Sequence, residues 1–156
     1  MGHEFLDGES VLAFDLETTG ISTNTDRIVQ IALIGSNSTG DTVHYETLVN
    51  PRRPIPPGAS GVHGIFDSDV KGEQDFRHHA DEIHRLIENS VVVGHNIRKF
   101  DMPLLENEFR RIGRLPPKPK AMMDTLEIVR RVKLGRPHNL GSCLLYTSPS
   151  PRDDVI

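Results

Sequence analysis

Apolar residues divide the first fifty positions into three segments with the patterns of β-strands. Residues 10–15 form a short apolar run, and residues 27–35 alternate before becoming continuously apolar. Residues 42–50 are rich in β-branched side chains. Between the last two segments, Gly40 and Asp41 supply the residue types that close a tight hairpin. This part of the chain is therefore predicted to contain three strands.

A helical period replaces the strand pattern after residue 75. Residues 75–90 carry apolar side chains on one side of a helix, namely Phe76, Ile83, Leu86 and Ile87. Residues 91–94 form a fully apolar run, as expected for a central strand in a covered sheet. The remaining predicted elements are a helix over residues 101–113, with Pro103 in its first turn and Gly113 as its stop, a strand over residues 121–124 and a helix over residues 125–135.

This order of elements, β-β-β-α-β-α-β-α, predicts an α/β fold in which helices pack on a mixed sheet. A chain of 156 residues can form one domain with a substantial core and needs no disulfide bonds. We assign residues 1–142 to that domain and residues 143–156 to a Ser- and Pro-rich tail.

The composition excludes several classes of protein. A hydrophobic share of 36% and a charged share of 26% are ordinary for a globular protein, so the chain is not expected to be disordered as a whole. No apolar stretch approaches the length of a membrane span, and the first residues lack the apolar core of a secretion signal. The single cysteine, Cys143, argues against disulfides and thiolate zinc sites. We therefore expect a reducing, cytoplasmic setting without a membrane partner.

The charges are distributed unevenly along the chain. Residues 1–97 hold 6 Lys or Arg against 15 Asp or Glu, whereas residues 98–136 hold 11 against 5. An acidic part joined to a basic part suits a protein that holds cations in one place and phosphates beside them. Solvated helix faces would produce the same count, so the charges alone leave both readings open.

Two carboxylates at the end of the first predicted strand are the strongest candidates for chemistry. Asp15 and Glu17 are two positions apart, so their side chains point to the same face of a strand. Their Cα atoms are expected about 6.6 Å apart, which suits a pair of divalent ions about 3.5–4 Å apart. Oxygen-only ligands favour Mg²⁺ or Mn²⁺ over zinc. The alternative is a strand end with two ordinary surface charges.

A third carboxylate, Asp101, is predicted at the start of a helix. It follows the apolar strand 91–94 and the pair His95 and Asn96. Ligands collect at the ends of strands in such sheets, so Asp101 can complete a cluster with the first two carboxylates. Alternatively, Asp101 only caps its helix and complements the helix dipole.

Three histidines lie on the helix predicted over residues 75–90, and we expect them to be solvated. They are His78, His79 and His84. Their spacing does not match the His-Glu-x-x-His pattern of zinc enzymes, so no metal site is expected there.

Four segments in order resemble a known family. "FDLETTG" (residues 14–20) and "GHNIRKFDMPLL" (residues 94–105) are similar to the first two motifs of the DEDD exonuclease superfamily. "IPPGASGVHGI" (residues 55–65) resembles the segment that places a His near the substrate in the proofreading branch of this superfamily, the epsilon subunit of bacterial replicative DNA polymerase. "MMDTLEIVRR" (residues 122–131) resembles the strand-to-helix step that follows. The resemblance covers about residues 11–142.

The resemblance implies a ribonuclease-H-like fold and removal of nucleotides in the 3′→5′ direction. Asp15 would bridge two divalent cations, Mg²⁺ or Mn²⁺, while Glu17 would bind one of them and Asp101 the other. The residues lining the terminal nucleotide would be Thr18, Thr19, His63, His95 and Asn96. The implied partners are a nucleic-acid 3′ end, in the first instance single-stranded DNA, and a DNA polymerase of which the domain would be a subunit.

The third motif of the DEDDh-type branch is not found in this chain. That motif is a His acting as general base, followed five residues later by the last Asp, and none of the eight histidines has Asp at that distance. The family pattern stops after "PHNLGS" (residues 137–142) and is replaced by "CLLYTSPSPRD" (residues 143–153). These eleven residues reverse-translate, with permitted codons, to a transposase-end adapter used in sequencing libraries. We therefore expect a domain cut off before its last helix, followed by a non-native, disordered tail.

Three functions fit the sequence. The leading one is a metal-dependent 3′→5′ exonuclease acting on DNA in proofreading or repair, impaired here because the third motif is missing. An RNA-trimming relative is the alternative within the same superfamily, because the motifs do not read the 2′-OH. The alternative from another class is a non-catalytic nucleic-acid-binding module. The retained carboxylates argue against that module, because a protein that only binds needs no metal ligands.

Removing residues 143–156 is expected to change neither the melting temperature nor the nuclease rate. Adding after Ser142 a helix that carries the missing His and Asp should raise the rate by about 10²–10⁴, the usual contribution of a general base. Thermal unfolding and exonuclease assays on the three chains test both statements. A loss of stability or activity on deletion would show that the tail is a working part of the protein.

Overall fold

The computed structural model describes residues 8–135, which form a five-stranded sheet with strand order β3-β2-β1-β4-β5. The strands are β1 (Val11–Thr18), β2 (Ile28–Ser36), β3 (Thr42–Leu48), β4 (Val91–Gly94) and β5 (Ala121–Asp124). The helices are α1 (Pro57–His63), α2 (Asp67–Val70), α3 (Phe76–Ile87), α4 (Met102–Arg111) and α5 (Thr125–Gly135). One π-helical turn, Ile97–Asp101, leads directly into α4. The expected domain end at residue 142 and the tail lie outside the described residues.

The sheet is mixed, as the order of elements predicts. Strands β1, β2 and β3 are antiparallel neighbours, whereas β4 runs parallel to both β1 and β5. The hairpin between β2 and β3 turns at Gly40, which has a φ of 86°, a conformation that glycine adopts at little cost. Within the described part of the chain, no helix is both long enough and apolar enough to cross a bilayer.

Strand β1 is buried on one face only. Leu12, Phe14 and Leu16 are almost fully buried, whereas the alternate positions Asp15 and Glu17 are exposed and half-buried, respectively. The strand extends to Thr18, three residues beyond its predicted end. The period of two therefore places both candidate carboxylates on the face opposite the core.

Helices α3 and α4 contribute to the core on the other face. The rings of Phe76 in α3 and Phe109 in α4 meet edge to face, with centroids 5.0 Å apart. Leu104 and Leu105 of α4 are fully buried beside them. Each such side chain contributes about 1.5–3 kcal/mol through removal of apolar surface from water. Helix α4 stops at the predicted place, because Gly113 adopts a φ of 75° and its N–H donates to the carbonyl of Arg110.

A buried carboxylate joins α4 to the start of β2. Glu108 is 1% exposed, and its two oxygens accept hydrogen bonds from the Arg27 Nε–H and the Ile28 backbone N–H, both at 2.9 Å. Arg111 adds a third contact at 3.3 Å. A buried charge is tolerated when it is paired and hydrogen-bonded in this way.

Helices α1 and α2 lie between β3 and α3, where the sequence pattern predicts no helix. Both are short, and Gly58 and Gly61 weaken the helical preference of α1. The segment is held by tertiary contacts: the Asp67 carboxylate accepts the Ile55 N–H at 2.9 Å, and the Ser60 hydroxyl donates to the Ile65 carbonyl at 2.7 Å. Local patterns do not report such contacts, which is why both helices were missed.

Two histidines of α3 are packed against the fold, so the expectation that all three are solvated is wrong. His79 Nδ1 lies 2.7 Å from the Tyr45 hydroxyl on β3. Burial is the main reason that the pKa of His79 lies below its ordinary value. His84 contacts the Phe109 ring edge to face, at 5.8 Å between centroids, and only His78 is exposed.

Gly94 ends β4 in close contact with β1. A Cβ atom at this position would lie 2.6 Å from the Phe14 carbonyl oxygen and would collide with Cγ2 of Ile97. Only a residue without a side chain permits the chain to turn here toward the π-helical turn.

We expect Gly94→Ala to destabilise the protein by about 1–3 kcal/mol, the usual result of overpacking. Gly61→Ala is the matched control, because a Cβ there meets nothing within 4 Å and a helical alanine should add about 0.4–1 kcal/mol. Urea unfolding of both variants measures the two effects. Equal stability of the Gly94→Ala variant and the parent would contradict the close packing of this corner.

Candidate active site

The candidate residues gather at one edge of the sheet. Strands β1, β4 and β5 are parallel, so their carboxyl ends lie at the same edge. Glu17 is near the end of β1, His95 follows β4, and Asp124 ends β5. In α/β sheets this edge is where ligands bind.

Asp101 reaches β1 between the two strand carboxylates. Its side chain is 1% exposed, and Oδ2 accepts the Leu16 backbone N–H at 3.0 Å. Asp101 directly precedes α4 but makes no side-chain capping hydrogen bond to that helix. The side-chain cap of that alternative is therefore wrong, and its helix-dipole part stays a prediction. The hydrogen bond brings Asp101 to the residue that separates Asp15 from Glu17.

The donor set suits Mg²⁺ or Mn²⁺ by its chemistry, because all three side chains are carboxylates. The gathering is only partial: within residues 8–135, no three His, Cys, Asp or Glu side chains are close enough together to hold a metal ion. Asp15 and Glu17 share one strand face, and Asp101 is hydrogen-bonded to the backbone between them. The metal-ligand roles of Asp15, Glu17 and Asp101 thus remain predictions.

Thr18 and Thr19 are buried at the edge of the site and have partners within the protein. The Thr18 hydroxyl donates to the Gly20 carbonyl at 2.6 Å, and the Thr19 hydroxyl donates to Asp26 at 2.8 Å. The Thr19 backbone N–H donates to the Arg27 carbonyl at 2.9 Å. The predicted contacts of Thr18 and Thr19 with a nucleotide therefore depend on backbone atoms other than the Thr19 N–H.

Asp26, which the sequence analysis did not single out, organises this turn. Its carboxylate also accepts the Ser22 N–H at 2.8 Å. A Cβ at Gly20 would lie 2.5 Å from Asp26 Oδ2. The glycine of the Thr-Thr-Gly motif thus leaves room for a carboxylate of this protein. An Asp six residues beyond a turn carries no local signal of that contact.

His63 joins the end of α1 to the end of β1. Its Nε2 lies 3.0 Å from the Thr18 carbonyl oxygen, and its Nδ1 lies 3.1 Å from the Ile65 backbone nitrogen. A carbonyl only accepts and a backbone N–H only donates, so Nε2 carries the proton and Nδ1 accepts. These contacts select the neutral imidazole. Consistently, burial lowers the pKa of His63, although the Thr18 carbonyl opposes the shift.

The strand-to-helix junction of β5 and α5 holds His95 and Asn96. His95 Nδ1 lies 3.1 Å from the Thr125 hydroxyl oxygen. The Asn96 N–H donates to Asp124 Oδ1 at 2.8 Å, and Asn96 has a φ of 56°, which is uncommon for any residue but glycine. Both predicted substrate residues are half-buried beside the π-helical turn that ends in Asp101.

Asp124 is a second residue that the sequence analysis missed. It is 4% exposed and accepts backbone N–H groups from both the loop after β4 and the first turn of α5. Burial alone would raise the pKa of Asp124, but these backbone donors outweigh it and lower the pKa. Its position between a short strand and a helix, in "MMDTLEIVRR", was the available signal, because Asp is a preferred helix cap.

Part of the positive charge in residues 98–136 is paired with carboxylates of the protein itself. Arg98 pairs with Glu127 at 3.1 Å, and Arg111 pairs with Glu108. Arg114 pairs with Asp81 at 2.5 Å, and its guanidinium lies over the Phe109 ring. These contacts reduce the positive charge available to phosphates. The number of Lys and Arg residues in this stretch therefore overstates the charge that could bind nucleic acid.

The family comparison and the comparisons with individual proteins agree with one another. The sequence profile of the RNase_T exonuclease family matches residues 12–146. The DNA polymerase III subunit epsilon of Treponema pallidum is 32% identical over 120 residues, which are 77% of this chain and 55% of that protein. The 3′-5′ exonuclease DinG of Staphylococcus epidermidis is 34% identical over 118 residues, which are 74% of this chain and 13% of that protein. The chain therefore spans only part of these curated relatives.

A solved structure shares the fold. E. coli exonuclease I in complex with a dA16 oligonucleotide superposes with a TM-score of 0.71 and 24% sequence identity, over 83% of this chain and 31% of that chain. This confirms the expected ribonuclease-H-like α/β fold.

The stability of the protein should fall as the pH is lowered through the ordinary histidine value of 6.5. The pKa of His63 is lower in the folded state, so the unfolded chain takes up a proton first and gains stability relative to the folded one. In His63→Gln, which keeps an N–H donor for Thr18, the loss between about pH 7.5 and pH 5.5 should be smaller. The remaining loss is expected from His79, whose pKa is also lowered.

Urea unfolding midpoints at the two pH values measure this loss. His79→Gln is the companion variant and should remove the remaining part of the loss, because the pKa of His79 is also lowered. A His63→Gln variant with the same loss as the parent would contradict the neutral, buried imidazole.

Proposed function

Because the chain belongs to the RNase_T exonuclease family, as its resemblance to the DEDD superfamily predicts, we propose that it removes nucleotides one at a time from the 3′ end of DNA. The observation that carries this proposal is the contact between Asp101 and the Leu16 N–H. It brings a buried carboxylate to the backbone between Asp15 and Glu17, at the edge of the sheet where α/β proteins bind ligands. Three carboxylates at such an edge suit a metal-dependent reaction better than binding alone.

Asp15, Glu17 and Asp101 would hold two Mg²⁺ or Mn²⁺ ions. When bound, such ions make a water molecule nucleophilic at neutral pH and stabilise charge on the phosphate oxygens. The hydrogen bond from the Leu16 N–H holds one oxygen of Asp101 against β1. Asp15 is the exposed member of the set.

The terminal nucleotide would lie between the turn after β1 and the loop after β4. The turn contributes Thr18 and Thr19, together with His63, whose Nε2–H donates to the Thr18 carbonyl. The loop contributes His95 and Asn96, which the junction of β5 and α5 holds in place. Positioning of this kind, made by neutral groups around a carboxylate set, orients a phosphodiester without adding positive charge.

DNA is the preferred substrate in this proposal. The T. pallidum relative is named as a DNA polymerase subunit, and the exonuclease I structure contains a DNA oligonucleotide. These names support DNA, and by the same reasoning a proofreading or repair role beside a polymerase in the cytoplasm. An RNA-trimming activity is the alternative, and paired DNA and RNA oligonucleotides of one sequence distinguish the two.

The absence of the His and the last Asp of the third motif should lower the exonuclease rate. A chain without a general base should turn over slowly, so we propose that this chain keeps the carboxylates Asp15, Glu17 and Asp101 and has weak catalysis. Assays therefore need the extended chain that carries both residues after Ser142 beside the chain as it stands.

Asp15→Asn, Glu17→Gln and Asp101→Asn should each lower the exonuclease rate of the extended chain by at least about 100-fold. Loss of residues that only support metal ligands already costs about 10–100-fold, and these three would be ligands themselves. Chelation of divalent cations should stop the reaction, and Mg²⁺ or Mn²⁺ should restore it. The assay follows shortening of a 5′-labelled single-stranded DNA.

The control is the exposed His78→Ala, which should keep the parent's rate. Degradation that continues in excess chelator would overturn the metal-dependent reading. Full activity of Asp101→Asn would remove that residue from the site.

A further inference from the structure

The carboxylate of Asp124 connects two parts of the fold. Oδ1 accepts the Asn96 N–H at 2.8 Å and the Leu126 N–H at 3.0 Å, and Oδ2 accepts the Arg98 N–H at 3.0 Å. The Leu126 bond caps the first turn of α5. The bonds to Asn96 and Arg98 hold the loop that follows β4. One side chain, 4% exposed, thus serves a helix and a loop at the same time.

Neighbouring contacts attach the same loop to the same junction. The Thr125 hydroxyl lies 3.3 Å from the Gly94 carbonyl, to which it donates, and 3.1 Å from His95 Nδ1. The Arg98 guanidinium donates to the Met122 carbonyl at 3.1 Å. These contacts fix the position of the loop relative to the end of β5.

The loop in turn determines where Asp101 lies. Asn96 is the residue before the π-helical turn, and its left-handed backbone is stabilised by the bond from its N–H to Asp124. The Phe100 N–H donates to the Asn96 carbonyl at 3.1 Å, and Asp101 follows as the last residue of the turn. A path of hydrogen bonds and short backbone segments thus runs from Asp124 through the turn to Asp101 and the Leu16 N–H.

We propose that Asp124 is a positioning residue that holds Asp101 against β1, together with the loop residues His95 and Asn96. It does so through its hydrogen bonds to the Asn96 and Arg98 N–H groups. This inference rests on the proposed function only in that Asp101 is a residue of the proposed site. Asp124 itself faces backbone donors and is too deeply buried to meet a substrate.

Two substitutions separate this role from simple capping of α5. Asp124→Ser keeps a good helix cap for the Leu126 N–H but has no second oxygen and is too short to reach the loop. Asp124→Asn keeps one acceptor oxygen and replaces the other by a donor that faces the Arg98 N–H. The matched control is Glu108→Gln, which alters another buried carboxylate that accepts a backbone N–H, that of Ile28.

The measurement is amide hydrogen exchange by NMR on the full chain, without metal or nucleic acid. The Leu16 amide reports the contact with Asp101, and the Leu33 amide in β2 reports opening of the sheet as a whole. In both Asp124 variants, the ratio of the Leu16 to the Leu33 exchange rate should rise by at least about 10-fold. In Glu108→Gln, exchange at Ile28 should rise while that ratio stays at the parent's value.

An unchanged ratio in Asp124→Ser, with faster exchange at Arg98, would overturn the inference, because Asp101 would then stay in place without the loop contacts. A rise of equal size in Glu108→Gln would also overturn it, since any loss of a buried carboxylate would then have the same effect. Because no nuclease activity is measured, failure of the proposed function leaves this test intact. The expected ratio, together with no cleavage of DNA by the extended chain, would contradict the proposed function alone.

Discussion

Strand β1 continues beyond the last residue at which it pairs with its parallel neighbour β4, and the candidate site is built on that extension. The pairing ends at Ala13 and Val93, while β1 runs on to Thr18. A buried backbone N–H in the extension needs an acceptor that β4 no longer provides. Asp101 supplies it at Leu16, and Gly94 permits the chain to turn away closely enough for this to happen. A requirement of the backbone thus brings a third carboxylate to the strand that carries Asp15 and Glu17.

The fold uses the same solution for its other buried carboxylates. Asp101, Glu108 and Asp124 are each less than 5% exposed, and each accepts at least one backbone N–H from a distant segment. An ionised carboxylate in such a place would be costly without donors, whereas charge-assisted hydrogen bonds to the backbone are strong and directional. These three side chains join β1 to the π-helical turn, α4 to β2, and the loop after β4 to α5. The site therefore inherits its geometry from contacts that also stabilise the fold.

The substrate-binding residues implied by the family are held by the same kind of junction. His63 is fixed as a neutral imidazole between the end of α1 and the end of β1, and His95 and Asn96 are attached to the start of α5. Each of these positions lies where one element ends and another approaches it. This arrangement places the candidate nucleotide-binding groups on rigid supports and leaves the exposed side chain of Asp15 facing outward.

The sequence by itself determined the strands, the three long helices and the carboxylate pair. Each of these features depends on a local pattern: a period of two in β1, an apolar helical face in α3, and a proline and a glycine at the ends of α4. The spacing of Asp15 and Glu17 likewise decides that they share a strand face. The resemblance to the exonuclease superfamily was readable for the same reason, since its motifs are short and continuous.

Only the tertiary structure decided which residues support that pair. The contact of Asp101 with Leu16 spans 85 positions, the contact of Glu108 with Ile28 spans 80, and that of Asp124 with Asn96 spans 28. No local pattern encodes a hydrogen bond over such distances. The sequence therefore left open whether Asp101 is a metal ligand or a helix cap, and the roles of Asp26 and Asp124 were overlooked. Helices α1 and α2 were missed for a different reason: their own helical preference is weak, and the contacts of Asp67 with Ile55 and of Ser60 with Ile65 hold the segment.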